Sequence, residues 1–124
     1  MEVINDDDFL LRRVPSNIID PLHIKEDGTP TSIAFSLRKQ DTNGLSVDIE
    51  KLTTSHKAVI DRNKFRLFKF KSEVPRSLGL NCIHDPMPDN YAHALIQGEF
   101  TKAICRKLAS EAGKNPVVIP DSNS

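Results

Sequence analysis

Residues 64–71, which read KFRLFKFK, are the part of the chain whose character most clearly indicates a β-strand. The stretch is rich in phenylalanine and contains neither glycine nor proline, a composition typical of strands. In an extended chain, Phe65 and Leu67 share one side. Phe68 and Phe70 share the other. We therefore expect this strand to be covered on both faces near its middle, or to contain a bulge that switches its side chains.

A helix near the C-terminus is the second clear element. Residues 100–112 (FTKAICRKLASEA) carry an apolar residue at every fourth position, which is the stripe of an amphipathic helix. The stripe consists of Phe100, Ile104, Leu108 and Ala112. Gly113 and Pro116 follow it as signals for the end of the helix. We predict that this long helix lies on one face of a sheet.

Shorter patterns supply the remaining elements. Residues 33–37 and 45–49 both alternate apolar and polar side chains, which predicts two strands, and the loop between them ends in an Asn-Gly turn as in a hairpin. Hydroxyl residues at 53–55 offer an N-cap for a short helix over about 54–61. Residues 91–97 fit either a strand or a helix that Asn90 caps and Gly98 ends.

The elements together predict an α+β fold. We expect a small mixed or antiparallel sheet of five to six short strands, one long helix at about 100–112 and one short helix at about 54–61. The predicted organisation is a flexible acidic N-terminus at 1–8, a single domain at 9–119 and a flexible tail at 120–124.

Composition limits the classes of function. The chain has 124 residues, which suits one domain, and its 17 basic and 17 acidic side chains cancel. This balance excludes a strongly basic polyanion binder. The sequence has no apolar run long enough for a membrane span, no export signal and only two cysteines, so we expect a cytoplasmic protein with free thiols and no membrane partner. Its scattered glycines match no phosphate-binding loop, and we expect no cofactor.

The segment 82–93 (CIHDPMPDNYAH) is the strongest candidate for a catalytic site, because it combines two histidines, two carboxylates and two prolines. His84 and His93 would serve as base and acid, with Asp85 or Asp89 orienting one of them. Hydrolysis or group transfer on a phosphate-containing substrate would suit these groups. The competing interpretation is that the carboxylates make turn hydrogen bonds and that the histidines satisfy local groups.

The same segment contains potential zinc ligands, since Cys82, His84, His93 and Cys105 would provide two sulfur and two nitrogen donors. Their spacing includes neither a C-x-x-C nor an H-x-x-x-H pair, and Cys105 lies beside the apolar stripe of the predicted helix. We therefore expect no metal site.

A cationic strand is the candidate for nucleic-acid binding. Residues 62–76 contain six basic residues against Glu73 alone, interleaved with phenylalanines. Cations and exposed rings together bind single-stranded nucleic acids. The binding residues would be Lys64, Arg66, Lys69 and Lys71. In the competing interpretation the rings are core and the cations keep a strand soluble.

Ser46 and Asp48 share one face of their predicted strand, but no histidine is tied to them by spacing, so we predict no catalytic triad there. The short, neutral chain without a recognised motif favours a small accessory or adaptor protein that binds a protein partner. The alternatives are the small hydrolase or transferase with its site at 84–93, and the nucleic-acid-binding module that uses strand 64–71. The sequence leaves the oligomeric state open.

Overall fold

The computed structural model describes residues 1–16 and 22–120. In these residues six strands form one sheet, and each neighbouring pair is antiparallel. The strands are β1 (Phe9–Pro15), β2 (Leu45–Ile49), β3 (Phe65–Lys71), β4 (Asn81–His84), β5 (His93–Gln97) and β6 (Pro116–Val117). Their order across the sheet is β4-β5-β2-β1-β3-β6. The predicted α+β class and the predicted number of strands are confirmed.

Three α-helices accompany the sheet in the described residues: α1 (Ser55–Val59), α2 (Glu73–Ser77) and α3 (Lys102–Gly113). The long helix is confirmed, and it begins at Lys102 because the Thr101 hydroxyl accepts a hydrogen bond from the Ile104 N–H at 3.2 Å and caps it. The short helix is also confirmed, with Thr54 as its N-cap. Helix α2 was not predicted. Within residues 1–16 and 22–120, no helix combines the length and apolar character that crossing a bilayer requires.

The sheet has two differently covered faces. Helix α3 and a short 3-10 helix at Ser32–Phe35 cover what we call the α3 face, where the main core lies. Helix α1 covers part of the opposite face, where Leu11, Ala58, Val59 and Leu67 form a second cluster. Strand β3 contributes to both clusters, through Phe68 and Phe70 on one side and Leu67 on the other.

Strand β3 also pairs with β1 over seven consecutive residues without interruption. Coverage on both faces therefore explains its unusual pattern, and a bulge is not needed.

The predicted strand at 33–37 is wrong, because this segment forms the 3-10 helix Ser32–Phe35. Its alternation does not reflect burial, since Ile33 is 46% exposed whereas the consecutive residues Ala34 and Phe35 are both buried. The Ser36 N–H donates to the Ile33 carbonyl at 3.2 Å, which is a turn hydrogen bond rather than a sheet bond.

The predicted hairpin of 33–37 with 45–49 is consequently also wrong. Strand β2 is confirmed at Leu45–Ile49, but it pairs with β1 and β5. Of the two alternatives for 91–97, the strand is the correct one, and it begins at His93.

The N-terminal segment makes specific contacts, whereas the sequence predicts a flexible lead-in at 1–8. Ile4 is buried in the main core. The Arg76 guanidinium donates to the Ile4 carbonyl and to the Asp6 carboxylate, both at 2.7 Å. The Glu2 N–H donates to His84 Nδ1 at 2.8 Å. Apart from Pro120, the tail predicted at 120–124 lies outside the described residues.

We expect both thiols to resist alkylation in the folded protein. Cys82 and Cys105 are buried, and burial raises the pKa of the Cys82 thiol to about 11. At pH 8 only about one such thiol in a thousand is ionised. Iodoacetamide should therefore leave the native protein unlabelled over minutes and add two groups once urea unfolds it, as intact-mass measurements would reveal. Rapid labelling of one native thiol would contradict this arrangement.

Candidate functional site

Helix α1 leaves part of its face of the sheet open, and a cleft of about 710 Å³ lies there. The floor comes from β2 and β5, one wall from α1 and β1, and the other wall from the loop at 85–92, which we call the site loop. Among the lining residues are Arg13, Ser46, Asp48, Lys57, Asp89 and His93.

The alternation of β2 determines which of its side chains reach the cleft. Leu45, Val47 and Ile49 point into the main core, so Ser46 and Asp48 point to the opposite face. Strand β5 pairs His93 directly with Asp48, which brings the imidazole to the same face.

Ser46, His93 and Asp85 form a continuous hydrogen-bonded chain at this floor. The Ser46 hydroxyl oxygen lies 3.2 Å from His93 Nε2. On the other side of the ring, Nδ1 lies 3.1 Å from the Asp85 carboxylate and 3.0 Å from the Asp85 carbonyl oxygen. Two acceptors at Nδ1 favour the tautomer that carries its proton there, which leaves Nε2 to accept the Ser46 proton. This is the order of groups in a nucleophile–base–carboxylate triad.

The base of the site loop keeps Asp85 beside His93. The Asp85 N–H donates to the His93 carbonyl at 2.9 Å, directly after β4 ends and as β5 begins. Met87 and Asn90 close the loop with a reciprocal pair of backbone hydrogen bonds of 3.0 and 3.1 Å. The prolines predicted to stiffen this segment, Pro86 and Pro88, flank Met87.

Asn90 ties the site loop to the floor of the cleft. Its amide nitrogen donates to Asp48 Oδ1 at 2.8 Å, and its amide oxygen accepts from the Ala92 N–H at 3.2 Å. Asp48 is only 9% exposed. A buried carboxylate needs such a partner, and the contact fixes the loop relative to Ser46.

His84 does not join this site, although the sequence analysis pairs it with His93. Its side chain lies on the α3 face, 4% exposed. Nδ1 accepts from the Glu2 N–H, so Nε2 carries the proton and donates to the Tyr91 carbonyl at 2.6 Å. Both nitrogens are therefore occupied by the local groups that the competing interpretation describes. Of the predicted catalytic residues, the structure brings together Asp85 and His93.

Ser46 is the site residue that the sequence analysis does not select. The sequence pattern indicates only that Ser46 lies on the same face of its strand as Asp48. Only the pairing of β2 with β5 joins it to His93, and this register is a long-range property that the sequence pattern does not encode by itself.

Arg12 holds β2 from the side of β1. The ladder between the two strands comprises Leu10 with Ile49 and Leu11 with Asp48. Beyond it, Arg12 Nη1 donates to the Ser46 carbonyl at 2.8 Å and Nε donates to the Ala34 carbonyl at 3.0 Å. Burial, reinforced by repulsion from Arg38, lowers the pKa of Arg12 to about 10. The Arg12 guanidinium thus binds the Ser46 carbonyl where the backbone ladder between β1 and β2 has ended.

The backbone at one rim of the cleft is strained. Ile60, which ends α1, has a φ of 65°, a conformation that β-branched residues rarely adopt. Its side chain lines the cleft and is 68% exposed. Strain of this kind costs on the order of 1–3 kcal/mol and is found most often at binding and catalytic sites.

The cations proposed for nucleic-acid binding lie on β3 or beside it, but without a platform of exposed rings. Lys69 pairs with Glu50 at 2.9 Å, and Lys71 lies 3.6 Å from Asp7. Arg66 donates to the Arg62 carbonyl at 2.7 Å, and Lys64 is exposed. Phe68 and Phe70 are 3% and 1% exposed, so bases cannot stack on them.

The potential zinc ligands are not assembled. Cys82 and His84 point to the α3 face, whereas His93 points into the cleft on the other side of the sheet. Across residues 1–16 and 22–120, no three His, Cys, Asp or Glu side chains cluster in a way that could hold a metal ion.

No protein-family model, curated protein sequence or solved structure matches the chain.

Proposed function

We propose that this protein is an enzyme of the hydrolase or transferase class, with Ser46 as nucleophile and His93 as general base. The observation that carries the proposal is the hydrogen-bonded chain from the Ser46 hydroxyl through His93 to Asp85, with spacings of 3.2 and 3.1 Å. The three residues come from β2, β5 and the site loop, and Ser46 and His93 line the cleft. The protein-binding function that composition favours rests only on the lack of a sequence motif.

The first chemical step would be attack of Ser46 Oγ on an acyl or phosphoryl centre. The bond from Oγ to that centre forms, and the bond to the leaving group breaks. The Ser46 proton passes to His93 Nε2 and then to the leaving group. Water or an acceptor alcohol then attacks the Ser46 ester, His93 takes its proton, and Ser46 Oγ leaves with a proton returned by His93. Asp85 is a positioning residue, since it acts by orienting the imidazole.

The backbone of Ser46 offers a donor for the negative charge that develops in this step. In an antiparallel strand the N–H and C=O of one residue point to the same side. The Ser46 carbonyl points toward β1, where Arg12 binds it, so its N–H points toward β1 as well. An N–H adjacent to the nucleophile is a suitable oxyanion donor.

An alkyl fluorophosphonate tests this proposal directly. Ser46 Oγ would displace fluoride from phosphorus, its proton would leave through His93, and intact-mass measurement would find one adduct. Peptide mapping should locate the adduct at Ser46, and Ser46→Ala should abolish it. Ser110→Ala is the matched control, since Ser110 is an exposed serine on α3. This variant should still be labelled at Ser46 at the normal rate. No adduct, or an adduct that persists in Ser46→Ala, would overturn the proposal.

A further inference from the structure

We infer that the substrate carries a phosphate group, which Arg13 and Lys57 bind on the α1 side of the cleft. The inference rests on the proposed function of Ser46 and adds the class of substrate. It is carried by two cationic side chains that line the same cleft as the nucleophile and have no carboxylate partner within the described residues.

Arg13 is placed opposite Ser46 by the strand register. Strands β1 and β2 pair Leu11 with Asp48, so two residues further along, Arg13 faces Ser46 across the gap where the ladder has ended. Residues two apart in a strand share a face, so both side chains belong to the cleft side of the sheet. Arg13 and Ser46 therefore lie on the same face of the sheet and line the same cleft.

The Arg13 side chain is held in place but keeps most of its donors. Nη1 donates to the Ala58 carbonyl at 3.3 Å, and the guanidinium carbon lies 5.2 Å from the centre of the Phe65 ring. A guanidinium has five N–H donors in a fixed fork. These two contacts orient the fork without using it up, and a fork matches the paired oxygens of phosphate.

Lys57 adds a second positive charge on the same wall. It lies on α1, is exposed, and lines the cleft. The neighbouring His56 is engaged elsewhere, because its Nε2 lies 2.6 Å from the Pro120 carbonyl oxygen. Because no ion pair among the described residues involves Lys57, its ammonium can neutralise a second oxygen of a bound anion.

Two acidic side chains also line the cleft. Asp48 is on the floor, with Oδ1 bound by Asn90, and Asp89 is on the site loop opposite α1. Arg13 and Lys57 are the cations on the α1 side of the cleft, and an anionic group is attracted to them. Two cations match the double negative charge of a phosphate monoester better than the single charge of a carboxylate.

Titration of the intact protein with inorganic phosphate, phenyl phosphate and acetate in a cationic buffer tests the inference. NMR shifts should report saturable binding of both phosphates at the cleft, at least about tenfold tighter than acetate. Lys57→Gln and Arg13→Lys should each weaken phosphate binding by about tenfold or more. Lys102→Gln, which removes an exposed lysine at the start of α3, should leave the affinity unchanged.

The outcome separates this inference from the proposed function. Ser46→Ala should still bind phosphate, because the anion contacts do not involve its hydroxyl, and phosphate should slow fluorophosphonate labelling of the native protein. If Ser46 is labelled but acetate and phosphate bind equally tightly, the phosphate inference fails while the proposed role of Ser46 as nucleophile stands. Unchanged phosphate affinity in both Arg13→Lys and Lys57→Gln would also overturn the inference. Because Lys57 is exposed, Lys57→Gln should fold normally, so its affinity is informative even if Arg13→Lys is unstable.

Discussion

Replacing His93 by alanine is expected to slow fluorophosphonate modification of Ser46 by about 10²- to 10⁴-fold, the usual contribution of a general base. The Ser46 hydroxyl would lose the acceptor that lies 3.2 Å away, and an unassisted hydroxyl is a poor nucleophile near neutral pH. The labelling rate from intact-mass time courses gives the effect. Asp85→Asn should cause a smaller loss, since it changes the orientation of the ring and leaves Nε2 present.

His84 provides the control for this prediction. His84→Ala should lower the free energy of unfolding by about 1–3 kcal/mol, because the Glu2 N–H and the Tyr91 carbonyl both lose a partner. His93→Ala should also lower the urea midpoint, since its side chain is only 13% exposed and bonds to Asp85, so its labelling rate is compared after circular dichroism shows that the variant is folded. If His93→Ala is labelled at the normal rate while folded, His93 is not the base.

The second large effect is expected at Phe70. Phe70→Ala should reduce the free energy of unfolding by about 3–5 kcal/mol, because the ring is 1% exposed and the truncation leaves a cavity in the main core. The ring centre lies 5.9 Å from that of Phe35, so a favourable aromatic contact is lost as well. Urea unfolding followed by circular dichroism measures the change.

Phe65→Ala is the matched variant on the same strand. Phe65 is half-buried at the start of β3, so its loss should cost clearly less than the loss of Phe70. Equal midpoints for Phe70→Ala and the unmodified protein would mean that the ring is not packed inside, and stacking of nucleic-acid bases on β3 would become the better proposal.

The sequence pattern alone predicts those elements in which the spacing of apolar residues matches the residues that are buried. The stripe of α3 packs on the main core, and β3 extends from Phe65 to Lys71 much as its composition predicts. The segment at 33–37 misled because its alternation was accidental: Ile33 is largely exposed and the neighbours Ala34 and Phe35 are both buried. Which residues are covered is decided by α3, far along the chain.

The candidate site was only half accessible to the same reasoning. The concentration of polar groups at 82–93 predicted Asp85 and His93, which do meet. The error in grouping His84 with them comes from strand geometry, because an alternating sheet directs His84 and His93 to opposite faces even though β4 and β5 are neighbours. Selecting Ser46 requires the pairing of β2 with β5, whereas the predicted hairpin paired 45–49 with 33–37.

The contact of Glu2 with His84 bears on how the protein should be handled. The Glu2 N–H donates to His84 at the end of β4, and the Glu2 carboxylate accepts from the hydroxyl of Tyr91 in the site loop at 2.8 Å. An affinity tag joined directly to Met1 would add chain at this junction. Purification handles and fluorescent labels are therefore better placed away from the amino terminus when the reactivity of Ser46 is to be measured.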